Sequence, residues 1–153
     1  PYPKGVQWDT TLLRPVSKNS ADQVFRELSV DLLLQAKRET EALLKTENFQ
    51  DPVLAESFHN FRKQLRAAFK MAHFIGVRVE ANHPLIKEVL YDIGKINDKV
   101  EPLVKSVEKG IESPEAIQVR QQKVDKLWDK FIENYKQKDI FDAIDALIKD
   151  LQN

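Results

Sequence analysis

Two Glu-x-x-His pairs, Glu56/His59 and Glu80/His83, are the residues whose types and spacing come closest to a reactive site in this chain. Helical positions three apart share a face, and di-iron bundles use two such pairs from facing helices with two further inward glutamates. Here both pairs fall on or just after one helical stretch, about 36 Å apart at 1.5 Å per residue. They cannot share a metal within one chain. Glu56 also lies off the apolar stripe that contains Leu54, Phe58 and Phe61, so it faces water. With His 3 and Cys 0, ligands are scarce, and the expectation is no metal and no cofactor.

A second pattern is cationic. His59, Lys63, Arg66, Lys70 and His73 recur at spacings of four, three, four and three, and Arg62 lies beside them. On a helix this makes a ridge one position beyond the apolar seam, suited to carboxylate or phosphate partners. Its bland reading is a solvated face paired with acidic residues of a neighbouring helix. Its sharper reading is a docking surface for an acidic peptide or an anionic lipid headgroup. Nucleic acid is not expected, because no exposed aromatic residues interleave the ridge and the formal net charge is zero.

Other chemistry is excluded more quickly. Asp139, Asp142 and Asp145 cluster near the end of the chain without the glycine-containing, alternating ligand loop that calcium requires. They read as surface charge. Serines and threonines fall at caps and loops, no histidine completes a nucleophile–base pair, and there is no glycine-rich phosphate loop. The absence of cysteine removes disulfides, thiolate catalysis and sulfur-ligated metals. The expectation is a protein that is not an enzyme.

The elements that must position these residues are delimited by Asp51-Pro52, His83-Pro84 and Ser113-Pro114, each a helix-start signal. Residues 1–19 read as an extended arm, because Pro1, Pro3, Gly5 and Pro15 oppose a helix. Tyr2, Val6, Trp8, Leu12, Leu13 and Val16 make it too apolar for a solvated tail. It either shields a groove between helices or docks on another protein, with Tyr2, Trp8, Leu12 and Leu13 as the contact residues. The first helix is expected from a Ser20–Gln23 capping box to Lys45, with a stripe of Ala21, Val24, Phe25, Leu28, Leu32, Ala36, Leu43 and Leu44. The second runs from Asp51 to near Glu80, fraying at Gly76 and Val77. The third runs from Pro84 to near Gly110 and keeps its phase through Pro102, which is expected to bend it. The fourth opens at Ser113 and breaks or bends over residues 136–139, where Asp139 is placed to cap a short last helix.

Within the fourth helix, Ile117, Arg120, Val124, Leu127 and Trp128 are spaced in a way that resembles the third helix of a spectrin-type repeat. The resemblance covers residues 113–135. The tryptophan such repeats usually carry on their first helix has no counterpart here, and this chain has one helix more. What the resemblance implies is a scaffold.

Links of a few residues between helices of similar length lead to an all-α, up-down-up-down four-helix bundle over residues 20–153. Lys+Arg and Asp+Glu both total 24, so no overall field recruits nucleic acid or membrane. No apolar run approaches the roughly 18–20 residues that span a bilayer. Pro1 in place of Met, with no signal-peptide pattern, suggests a processed or excised segment. The function expected is a structural or adaptor module that binds another protein, or an accessory subunit of a larger assembly. The alternative is a bundle that binds an anionic membrane surface or an apolar ligand. Compartment and oligomeric state are not legible.

Overall fold

The computed structural model describes the backbone of residues 18–153 and the side chains of residues 20–153 other than Leu54. Among the described residues every regular element is a helix: α1 (Lys18–Leu44), α2 (Pro52–Phe74), α3 (Val79–Asn82), α4 (Pro84–Lys109), α5 (Pro114–Asn134) and α6 (Gln137–Gln152). None of these helices is long and apolar enough to cross a membrane.

Side-chain pairs fix how the helices pass one another. Phe25 meets Phe74 edge to face at 4.9 Å and Gln64 Nε2 donates to Gln35 Oε1 at 3.5 Å, so α1 and α2 run antiparallel. Arg26 Nη1 donates to the Leu151 carbonyl at 2.9 Å, and Lys37 bridges Asp145 at 2.8 Å, which sets α6 antiparallel to α1. Arg62 lies across α4 at Gly94. The Tyr135 hydroxyl, just past α5, reaches Asp92 of α4 at 2.6 Å. α1 therefore packs on α2 and α6, and α4 packs on α2, α5 and α6.

The core follows the sequence stripe in most helices. Phe58, Phe61, Leu65, Ala68 and Ala72 are buried from α2, and Ile86, Val89, Ile93, Ile96, Val100 and Leu103 from α4. Val124, Trp128 and Phe131 follow from α5, then Ile140, Ile144, Leu147 and Leu151 from α6. On α1 the expected stripe is displaced. Its buried seam is Ser29, Leu33, Ala36, Thr40 and Leu43, while Val24 and Leu28 are 50% and 44% exposed. The reason lies in two hydroxyls that an apolar count passes over. Ser29 Oγ donates to the Phe25 carbonyl at 2.7 Å and Thr40 Oγ1 to the Ala36 carbonyl at 2.8 Å. Each satisfies its polar atom within its own helix and can be buried at little cost.

Three boundaries also differ from expectation. α1 already includes Lys18 and Asn19, so Ser20 stands inside the helix and not at its cap. α2 ends at Phe74, short of Glu80. Gly76 takes φ +85, its N–H bonds the His73 carbonyl at 3.0 Å, and the Val77 N–H bonds the Ala72 carbonyl at 2.9 Å. That pair of bonds is a Schellman stop, and it separates the short α3 from α2. At the other break, α6 opens at Gln137 with Asp139 in its third position. The Asp139 carboxylate accepts from the Lys136 N–H at 3.2 Å, so it satisfies the helix start from inside and does not itself precede the helix.

The proline-marked starts behave as read. Asp51 Oδ1 accepts from the Val53 N–H at 3.0 Å and Ser113 Oγ from the Ala116 N–H at 3.2 Å. α4 is one element through Pro102 and ends at Gly110, which takes φ +62. Because a side chain at φ +85 costs about 1–2 kcal/mol, Gly76→Ala lowers unfolding free energy by that amount. Denaturant titration measures the loss, with an unchanged slope.

Candidate functional site

The first carboxylate–histidine pattern is dispersed. His59 sits on α2, with Nδ1 3.9 Å from Glu101 Oε1 of α4, beyond hydrogen-bond range. That nitrogen has no hydrogen-bond partner among the described residues. Glu80 belongs to α3 and pairs with Lys87 at 3.2 Å. The His83 ring meets Asp150 of α6 at 2.8 Å through Nε2. Placing both pairs on or just after one helix is thereby corrected: the Schellman stop puts Glu80 and His83 beyond a reversal. Among the described residues no three His, Cys, Asp or Glu side chains gather into a metal-binding group.

Of the acidic trio, Asp139 and Asp142 line the same open groove. Asp145 is engaged by Lys37, whose ammonium also lies 5.1 Å from the Phe141 ring centre. Asp139 is used at the start of α6. The groove that Asp139 and Asp142 share has a volume of about 340 Å³ and is also lined by His83 and Pro84.

The cationic ridge, by contrast, stays together. His59 is half-buried at the α2–α4 seam. Arg62 is half-buried too, its guanidinium passing α4 so closely that a methyl group on Gly94 would stand 3.7 Å from Nε. Lys63, Arg66, Lys70 and His73 are exposed. Antiparallel register, with Arg62 level with Gly94, puts Arg66 level with Leu90, next to Tyr91, and Lys70 level with Ile86, next to Lys87. Tyr91 is itself 63% exposed, with the Lys95 ammonium 4.4 Å from its ring centre. Among the described residues, Lys63, Arg66, Lys70 and His73 make no ion pair or side-chain hydrogen bond. These four residues form a solvated face, as the bland reading has it, without the acidic pairing that reading adds, among the described residues.

Elsewhere some cations are engaged, while others, among them Arg38, Lys99, Lys123 and Lys126, also make no ion pair among the described residues. Arg120 forms a two-pronged pair with Glu112, Nε to Oε2 and Nη2 to Oε1, both 2.8 Å. The hydrogen bond from Arg120 holds the Glu112 carboxyl below its ordinary value. Below the ridge on the same seam, a groove of about 360 Å³ opens between α2 and α4, with Ala55, Val100 and Val104 as its apolar floor and Glu56, Glu101 and Glu108 at its rim.

Sequence reasoning passed over one residue that the structure makes central, Phe49. It lies in the α1–α2 connection and is 1% exposed. Its ring meets Phe58 at 5.6 Å and Trp128 at 5.2 Å. A lone aromatic between Asn48 and Gln50 belongs to no periodic stripe, and that isolation was the only available signal. Trp8 and the other arm residues Tyr2, Leu12 and Leu13 lie outside the described residues.

Among the described residues, Tyr135 is a buried phenol with a strongly perturbed acidity. Burial first, and then the hydrogen bond to the Asp92 carboxylate, raise its phenol above the ordinary 10.0. A raised folded-state value means that the unfolded chain releases this proton first. The stabilisation is therefore complete below about pH 10 and declines as pH rises above it. Tyr135→Phe should cost about 1 kcal/mol at pH 7 through the lost hydrogen bond. It should also flatten the alkaline fall in stability, as followed by urea unfolding from pH 8 to 12.

No protein-family model, curated protein or solved structure matches the chain, so the reading of its function rests on the residues described above.

Proposed function

We propose that the chain is a non-catalytic helical module that binds another protein, as an adaptor or an accessory subunit, through the cationic shoulder of α2. In this reading α1, α2, α4 and the jointed pair α5/α6 are the four columns of an up-down-up-down bundle, with Tyr135 and Lys136 as the break in the fourth. The partner surface is acidic. The observation that carries the proposal is the run of exposed cations Lys63, Arg66 and Lys70, with His73, which find no carboxylate among the described residues. Lys37, Lys45, Lys87 and Arg120 each have one; scattered cations such as Lys99 and Lys126 do not, so what sets the α2 run apart is its regular spacing along one helix face. In a chain of formal net charge zero, such a run is a local field and not a by-product of composition.

A helix face of this kind suits a run of carboxylates on a partner helix or strand, with Tyr91 offering an amphipathic contact at the same level. Each exposed pair contributes about 0.2–1 kcal/mol and weakens with salt. Affinity would therefore come from several pairs together with apolar contacts beside them.

The experiment is titration of the full chain with a fluorescent glutamate-rich peptide at low and high salt. Binding is expected at low salt and should weaken on salt addition. Arg66→Glu with Lys70→Glu should weaken it at least about tenfold, equivalent to 1.4 kcal/mol. The control Lys126→Glu, on exposed α5 surface, should leave it unchanged. No binding at low salt, or equal loss in the control, overturns the proposal. Binding to phosphatidylserine vesicles without binding to the peptide would replace it with the membrane reading.

A further inference from the structure

The α2–α4 seam carries unpaired charge of opposite sign at its two ends. At one end Lys63, Arg66 and Lys70 are exposed and make no ion pair among the described residues. At the other end Glu56, Glu101 and Glu108 stand round the groove of about 360 Å³, with Lys105 as the single lysine or arginine in its lining. All three glutamates are exposed, and among the described residues none has a lysine or arginine partner. Glu101 is met by the Asn97 amide at 3.3 Å and by the His59 imidazole at 3.9 Å. Glu56 and Lys70 lie about 21 Å apart along α2 at 1.5 Å per residue. The groove floor is apolar, made by Ala55, Val100 and Val104, and at the cationic end Tyr91 is 63% exposed.

We propose that this seam is a two-fold interface between two copies of the chain, packed antiparallel so that the cationic end of each lies on the acidic end of the other. The proposal rests on the reading of the ridge as a surface for carboxylates, and takes those carboxylates from a second copy. Register supports it. Arg62 stands level with Gly94, which puts His59 level with Asn97, Lys70 with Ile86 and Glu56 with Val100. A two-fold axis crossing the seam at His59 sets Lys70 of one copy level with Glu108 of the other. Lys63 comes within one residue of the level of Glu56. Tyr91 comes level with the gap between Val100 and Val104, so an amphipathic ring meets an apolar groove. Each contact occurs twice, as the symmetry requires.

An unrelated acidic protein would satisfy the cations and leave the three glutamates open, whereas a second copy satisfies both ends with one contact. The face is also large enough. Two helices side by side, each about 10 Å wide and about 35 Å long, present roughly 700 Å² per copy. A standard interface buries about 800 Å² per partner. A formal net charge of zero adds no overall repulsion between copies.

Analytical ultracentrifugation of the full chain tests this over about 1–1,000 μM, a range that brackets an interface of exposed ion pairs. The mass should rise from 17.7 kDa toward twice that value and no further. Added salt should shrink the rise. Lys63→Glu with Lys70→Glu makes both ends of the seam acidic, and Glu56→Lys with Glu108→Lys makes both basic. Each variant alone should dimerise at least about tenfold more weakly, and an equimolar mixture of the two should restore the dimer. Lys123→Glu with Lys126→Glu changes net charge equally on α5 and should leave dimerisation intact. All these positions are exposed, so helical circular dichroism should not change. If a variant does lose helix, Lys63→Gln with Lys70→Gln serves in its place. A mass that grows past two copies overturns the proposal, as do equal loss in the α5 control and a mixture that fails to restore the dimer. So does a chain that stays monomeric. A monomer that still binds the glutamate-rich peptide places the fault with the second copy, and one that binds neither removes the ridge as a docking surface.

Discussion

A ladder of aromatic rings holds this fold together. Phe49, Phe58 and Trp128 meet edge to face at 5.2–5.9 Å, Trp128 stacks on Phe131 at 5.2 Å with the planes 8° apart, and Phe131 leans on Tyr135 at 4.8 Å. These rings come from the α1–α2 connection, α2, α5 and the residue that ends α5. They join segments distant in sequence by packing geometries that contribute roughly 0.5–1.5 kcal/mol per pair beyond area burial. The last ring also ties α5 to α4, because its hydroxyl is held by Asp92. The Trp128 N–H has no acceptor among the described residues. The ladder thus accepts one unsatisfied donor in exchange for a tightly packed centre.

Polar atoms elsewhere in the core are handled locally. Ser29, Thr40, Thr46 and Ser106 each return a hydroxyl proton to the carbonyl four residues earlier. Ser106 donates to Pro102, so the helix that lacks one backbone donor at that proline has a side-chain hydrogen bond one turn later. Charge is confined to the outside, where some of it is paired across helices and the α2 ridge is not. Neutral composition and a local cationic face are compatible because each is set at a different length scale.

The elements were largely legible because punctuation in helices is chemical. Asp51-Pro52 and Ser113-Pro114 mark starts through a side-chain acceptor and a ring without an N–H, and both act that way here. Gly110 was legible as an end for the same kind of reason. Gly76 was read as a weak point when it is a stop, because only the pair of carbonyls behind it reveals the Schellman geometry. The α1 face was misread since period alone cannot rank Ser29 and Thr40 above Val24 and Leu28. Hydrophobicity predicts burial only when polar atoms have nowhere to bond. The cationic ridge was visible as spacing, but whether acids oppose it depends on the register between α2 and α4, which no single-helix pattern encodes. The pairing of His83 with Asp150 was equally hidden, as it joins positions far apart in the chain.

The two-residue joint at Tyr135 and Lys136 has a kinetic consequence. Contacts between α1 and α2, and between α4 and α5, are hairpin-like and close over short loops, whereas Arg26–Leu151 and Lys37–Asp145 close over more than a hundred residues. Loop-closure entropy makes that last closure the slowest to nucleate. A joint with extended backbone lets α6 undock without unwinding α5. Opening of α6 alone would expose Ile140, Ile144, Leu147 and Leu151 while leaving α5 wound, a partial opening that amide exchange reads separately from global unfolding.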